Sequence, residues 1–208
     1  MPEILMAAFA LGLVYNAAPG PVLAETVHRS VAGGFRAGLA VQFGSLAGDA
    51  LWAALGLAGV GFLFRSEALR GPAALIGAGY LLWLALDAWR RAGSTGPATV
   101  CRERDDGSEA LRSGIIISLT NPQAVAFWAA VGSAFGAIGA AEPTAADYGF
   151  FYAGFLLSSV LWALAAAALV DRLLGWLGTG WARVAYRLCA LAFLLLGLAS
   201  LRTVLPVP

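Results

Sequence analysis

Residues 4–26 read ILMAAFALGLVYNAAPGPVLAET, and this stretch decides the class of fold. As a helix its 23 residues are about 35 Å long, enough to cross ~30 Å of hydrocarbon. Outward from it, five more apolar runs fall at residues 37–64, 71–89, 113–138, 148–170 and 184–205, each long enough to span. The whole chain is 60% hydrophobic with a mean hydropathy of +0.79 and only 12% charged residues, well above the roughly 45–50% apolar content of a soluble domain. Six spans of about 20 residues use roughly 120 residues and leave no room for a soluble catalytic domain. Met1-Pro2-Glu3 lacks the basic start of a secretory signal, so the first run is expected to stay attached as a span. The fold expected is an all-α integral membrane protein with six transmembrane helices.

Basic residues give this expectation a direction. All 13 are arginine and lie between or beside the apolar runs. The first connection holds Arg29 and Arg36, the third Arg90, Arg91, Arg102, Arg104 and Arg112, and the fifth Arg172, Arg183 and Arg187. Only Arg65, Arg70 and Arg202 fall on the other side. Cytoplasmic loops carry the basic excess, so both termini are expected outside a bacterial inner membrane. Trp176, Trp181 and Tyr186 beside the fifth group suit a segment resting at the interface. Residues 92–112, with Gly93, Ser94, Gly96, Pro97 and mixed charges from Arg102 to Asp106, read as a solvated cytoplasmic linker. A net charge of +1 gives no reason to expect a nucleic-acid partner. Cys101 and Cys189 lack the spacing of a redox or metal site, and neither a metal nor a cofactor is expected.

With the linker set aside, residues 1–91 and 113–208 resemble each other as two three-helix repeats. Pro19-Gly20-Pro21 faces Asn121-Pro122 at an offset of about 102. Leu51-Trp52 faces Leu161-Trp162 at 110, and residues 81–90 resemble 193–202 at 112. Three spans per half is an odd number, so the second copy must be inverted relative to the first, as in many secondary transporters.

Proline inside spans 1 and 4 removes a backbone donor and breaks the helix, which is tolerated at membrane depth only where protein covers the break or a polar cavity meets it. Asn16, Pro19, Gly20 and Pro21 in the first break, and Asn121, Pro122 and Gln123 in the second, are therefore expected around a substrate path; an ordinary packing kink is the plainer alternative. In span 2, Gln42, Ser45, Asp49 and Trp52 share one helix face. Placing an aspartate at a helix centre costs roughly 2.5–3.5 kcal/mol. Protonating it at pH 7 costs about 4 kcal/mol from its reference value. The two costs are close, so Asp49 is the candidate for proton coupling or for a counter-charge to an amine; a structural, hydrogen-bonded aspartate is the plainer reading. Gly44 and Gly48 make a close-packing Gly-x-x-x-Gly. Asp87 reads as an ion-pair partner of Arg90 and Arg91, and His28 as interfacial.

The elements Pro19-Gly20-Pro21, Gly33-Gly34-Phe35-Arg36-Ala37-Gly38, Gly48-Asp49, Gly77-Ala78-Gly79-Tyr80-Leu81 and Leu119-Thr120-Asn121-Pro122 together resemble the LysE/RhtB family of amino-acid exporters over nearly the whole chain. The resemblance implies export of amino acids or related metabolites, driven by protons, with the Pro-Gly-Pro, Gly-Asp and Asn-Pro elements near the path. Where that family usually has lysine after Asn-Pro, this chain has Gln123, which offers only neutral hydrogen bonds. The expected function is a secondary-active efflux transporter working by alternating access, with a small solute, protons and the bilayer as partners; a homo-oligomer is admitted and not required. A non-transporting membrane scaffold is the alternative. A membrane enzyme or electron carrier would need clustered His, Cys or acids that one histidine and two distant cysteines do not supply.

Overall fold

Prolines and one glycine shape the first third of the chain. A computed structural model describes residues 2–18, 20–58, 67–94, 107–121, 124–125, 127–128, 131, 144–177 and 181–202. Among these every regular element is helical. Helix α1 is Pro2–Ala17, α2 is Pro21–Leu57, α3 is Glu67–Ser94 and α4 is Ser108–Thr120. Helix α5 is Ala145–Leu177 and α6 is Ala182–Arg202. Short helical stretches at 124–125, 127–128 and 131 follow α4.

Gly20, at φ −150° and ψ −174°, takes the extended conformation that a following proline enforces. Pro21 then opens α2 where a missing N–H costs nothing. At Gly34 the backbone has φ 64° and ψ −155°, a combination essentially confined to glycine, and α2 reverses there. Gln42 Nε2 donates to Thr26 Oγ1 at 2.9 Å across 16 residues of sequence, which a straight helix would hold about 24 Å apart. Residues 21–33 and 35–57 are therefore two antiparallel arms. The first connection, expected as a loop from 27 to 36, is instead helix closed by one reversal, and His28 lies buried within it.

The arms and helices pair in a regular way. Helix α1 packs on α5, α2 on α4 and on α5, and α3 on α6, with lesser contacts of α2 with α6 and α3 with α4. Missing side chains allow the closest approaches. A methyl group added at Gly44 would strike the backbone of Leu111 and Ile115, and one at Gly114 would strike Val41 and Ser45. At the other pairing, Gly154 faces Leu5 and Ala8, while Gly12 faces Phe155 and Ser158. Gly12 and Gly114 lie 102 residues apart, and Gly44 and Gly154 lie 110 apart.

Apolar side chains form the outside. Leu157, Leu161 and Leu164 of α5, Leu188, Leu191, Leu195 and Leu198 of α6, and Trp83, Leu86 and Trp89 of α3 are all exposed. Glu25, Thr26, Gln42, Ser45, Asp49, Ser113, Ser118, Ser158 and Ser159 are buried. A solvent that is itself hydrocarbon favours this distribution, whereas water would not. Among the described residues, Ala145–Trp176 is one helix long and apolar enough to cross a bilayer. Helices α1 and α2, bent by 61° at the break between them, pass the same test of length and composition when taken together, as a broken span or a re-entrant loop would. Helix α4 stops after 13 residues, about 20 Å, because Asn121 precedes Pro122 and turns extended at φ −75°, ψ 110°.

The start of α5 is fastened by its own sequence. Thr144 Oγ1 accepts from the Asp147 amide at 3.3 Å, and the Asp147 carboxylate accepts from the Thr144 amide at 2.9 Å and its hydroxyl at 2.8 Å. This reciprocal cap satisfies donors the helix end would leave bare. The Thr144 amide, and then its hydroxyl, hold the Asp147 carboxyl below the usual carboxylate range.

Candidate functional site

Where the break at 18–20 meets the second arm of α2 and the end of α4, the helices leave a cavity of about 380 Å³. The side chains around it are mixed: Gln42, Ser45 and Asp49 from the second arm, Asn16 and Tyr15 from α1, Ser118 and Asn121 from the end of α4. Phe127 and Trp162 add aromatic wall.

Asp49 is 7% exposed, and among the described residues its hydrogen bond comes from Ser118 Oγ at 3.5 Å, the outer limit for such a contact. Gly48 makes the pairing tight, since a methyl group there would collide with Ser118. The Trp52 indole donates to the Ser118 carbonyl at 3.2 Å and fixes the end of α4 against the arm. A buried carboxylate with so little hydrogen bonding is costly as an anion, so it invites a proton or a cationic group into the cavity. On the opposite wall Asn16 Nδ2 donates to the Gly12 carbonyl at 2.8 Å and to Ser159 Oγ at 3.0 Å. Gln42 reaches Thr26, and Ser45 Oγ donates to the Gln42 carbonyl at 2.8 Å, so the floor is hydrogen-bonded and rigid.

Asn16, Gly20, Pro21, Gln42, Ser45, Asp49 and Asn121, singled out from three separate stretches of sequence, line this one cavity. Pro19, Pro122 and Gln123 lie outside the described residues. Tyr15, Ser118, Phe127 and Trp162 were not singled out. Ser118 precedes Asn121 by three residues on a helix, and that spacing was the available signal. Glu25 was missed as well: it is fully buried one turn beyond Pro21.

A family model described as LysE type translocator matches residues 13–203, nearly the whole chain. The chain belongs to the LysE type translocator family. The chain is 44% identical to the chemotactic transduction protein ChpE of Pseudomonas aeruginosa, over 97% of this chain and 98% of that one. It is 33% identical to the uncharacterized membrane protein YahN of Escherichia coli, over 69% and 64%. It is 28% identical to the homoserine/homoserine lactone efflux protein of Salmonella typhimurium, over 76% of each. No solved structure matches. Membership in a translocator family agrees with the apolar exterior and places the protein in a bacterial membrane.

Proposed function

We propose that the protein is a secondary-active efflux transporter of the bacterial inner membrane that exports amino acids or related small metabolites in exchange for protons. The observation that carries this reading is Asp49, a buried carboxylate that among the described residues has one long hydrogen bond, set in a cavity where two helices break. A volume of about 380 Å³ is at the small end of the usual range for ligand sites and suits a metabolite. The similarity to the Salmonella homoserine/homoserine lactone efflux protein supports efflux of a small polar solute. An α-amine would meet Asp49, while Asn16, Gln42 and Ser45 offer hydrogen bonds; Gly20, Pro21 and Asn121 line the cavity at the two helix ends, and we assign Pro19, Pro122 and Gln123, their neighbours in sequence, to the same path.

In the mechanism proposed, residues 1–91 and 113–208 are inverted repeats joined by the cytoplasmic linker 92–112, with both termini outside, and one half rocks against the other around the cavity. The pairing of elements supports this. If the halves are exchanged, α1 on α5 becomes α4 on α2, and α3 on α6 maps to itself. The contacts follow the same rule. Asn16 with Ser159 becomes Ser118 with Asp49, at the offsets of 102 and 110 that relate the facing glycines. Asp49 takes a proton when the cavity opens outward, releasing the amine, and gives it up inside.

Inside-out vesicles test the reading directly: labelled basic, neutral and hydroxylated amino acids should accumulate and an uncoupler should abolish the accumulation. No uncoupler-sensitive accumulation of any of them would remove it. A second reading, a membrane component of chemotactic signalling, rests on the 44% identity to the chemotactic transduction protein ChpE. It is favoured if the vesicles transport nothing while deletion of the chain alters surface or swimming motility.

A further inference from the structure

Beyond the cavity, one turn past Pro21, lies a second polar cluster that substrate contact does not explain. Glu25, fully buried, accepts from Ser113 Oγ at 2.6 Å and Arg29 Nε at 2.8 Å through one oxygen, and its other oxygen lies 3.0 Å from His28 Nδ1. Tyr80 donates to Ser113 at 3.2 Å. Arg29 also reaches Glu109 at 3.3 Å, and Asp87 holds Arg91 at 2.9 Å with His28 Nε2 at 3.4 Å. The cluster ties the first arm of α2 to α3 and, across the two halves, to α4. Thr26, beside Glu25, takes the bond from Gln42 on the cavity wall, so the cluster sits directly behind the cavity floor.

The place corresponding to this cluster at the other end is chemically different. Counting 102 residues along, Glu25 corresponds to Phe127, and Ser113 corresponds to Leu11. Phe127 stacks on Tyr15 with centroids 4.3 Å apart, and Phe155 and Trp128 complete the group at 5.9 Å from Tyr15 and 5.3 Å from Phe127. Leu11 packs on the same apolar cluster. Tyr15 and Phe127 line the cavity itself.

We propose that the cavity is closed by two unlike gates: an ionic gate of Glu25, Ser113, Arg29 and Glu109 toward the cytoplasm, and an aromatic gate of Tyr15, Phe127 and Phe155 toward the outside. The proposal rests on the alternating-access reading and adds to it that the two closures differ in kind. Opening the ionic gate separates charge-assisted hydrogen bonds in a dry interior, which then need water or substrate to replace them. Opening the aromatic gate separates stacked rings and needs no replacement partner. Arg29 and Arg91 lie in the ionic cluster and Arg112 adjoins Ser113 in sequence; this basic excess sets its side.

The test uses the full chain with Cys101→Ser, Cys189→Ala and a reporter thiol, Ser45→Cys, on the cavity wall. A charged, membrane-impermeant thiol reagent is applied to right-side-out and to inside-out vesicles. Ser113→Ala should raise labelling from the cytoplasmic face by roughly tenfold or more, as expected for loss of one hydrogen bond to a buried charge, and leave the outer face unchanged. Phe127→Ala should do the reverse. Glu25→Gln is a stronger version of the first change, and Ser113→Ala serves if that variant fails to insert. Labelling that rises from the same face in both variants, or in neither, overturns the proposal. Labelling needs no substrate, so face-selective labelling without transport of any solute would leave the gates standing and remove the export reading instead.

Discussion

Asn16 donates through Nδ2 to Ser159 Oγ at 3.0 Å, and these two residues stand where, 102 residues further along and 110 residues back, Ser118 and Asp49 form their own pair. The two walls of the cavity are thus built on one plan, with the charge on one side only. A double-mutant cycle reads the strength of the neutral pair. Asn16→Ala and Ser159→Ala should each cost about 1 kcal/mol in thermal or denaturant unfolding, and the double variant should cost clearly less than their sum. Full additivity would mean the two side chains act independently.

The charged wall makes a different prediction. Asp49→Asn keeps the shape and the Ser118 contact but removes the titratable group. Transport driven by a pH gradient should fall by at least about a hundredfold, the range seen for loss of a positioned proton carrier, and solute exchange without a gradient should weaken with it, because the neutral amide stands in for the protonated state that releases the amine. Asp49→Glu should retain part of the coupled activity. Normal uncoupler-sensitive transport by Asp49→Asn would take Asp49 out of the coupling role.

Close backbone contact predicts where small residues are required. Gly44→Ala and Gly114→Ala each push a methyl group into backbone of the facing helix and should destabilise by about 1–3 kcal/mol. Gly79→Ala is the control: nothing lies within 4 Å of a methyl group there, and helix propensity alone should leave it neutral or more stable by up to about 1 kcal/mol. Gly34→Ala meets backbone strain in place of collision and should cost about 1–3 kcal/mol. Thermal unfolding in one detergent compares all four.

At the start of α5 the sign of a pH effect is fixed by geometry. The cap lowers the Asp147 carboxyl below its ordinary value, so its contribution is fully present above that value and disappears as pH falls through the lowered one. The Tm advantage of the parent over Asp147→Asn should hold at pH 6 and shrink toward pH 3. An advantage that grew on acidification would mean that the cap does not hold the ionised form.

Hydrophobic run length was enough to read the helical class, and proline position was enough to place the breaks, because both depend on the bilayer and the backbone alone. The grouping of Asn16, Gln42, Asp49 and Asn121 around one cavity also follows from such local facts: a break must face something polar, and an aspartate must face inward. Tertiary partners decided the rest. Glu25, His28 and Arg29, at the end of an apolar run, look like a row of interfacial charges; only Ser113 and Asp87, 88 and 59 residues from Glu25 and His28, make the site an interior one. The reversal at Gly34 was hidden for a similar reason, since a Gly-Gly pair followed by Phe-Arg fits a loop as well as a one-residue turn.

The spacing of Glu25 and Ser113 also bears on how the protein is made. At about 5–20 residues per second, a ribosome needs roughly 4–18 s to travel the 88 residues between them. For most of that interval the first hairpin can already close, because Thr26 and Gln42 are only 16 residues apart, but the serine that will face Glu25 has not been synthesised. His28 and Arg29, one turn away on the same arm, neutralise the carboxylate meanwhile. The nascent arm can therefore enter the membrane with its charge already matched, and the arrival of α4 seals a pair that the young chain had kept in trust.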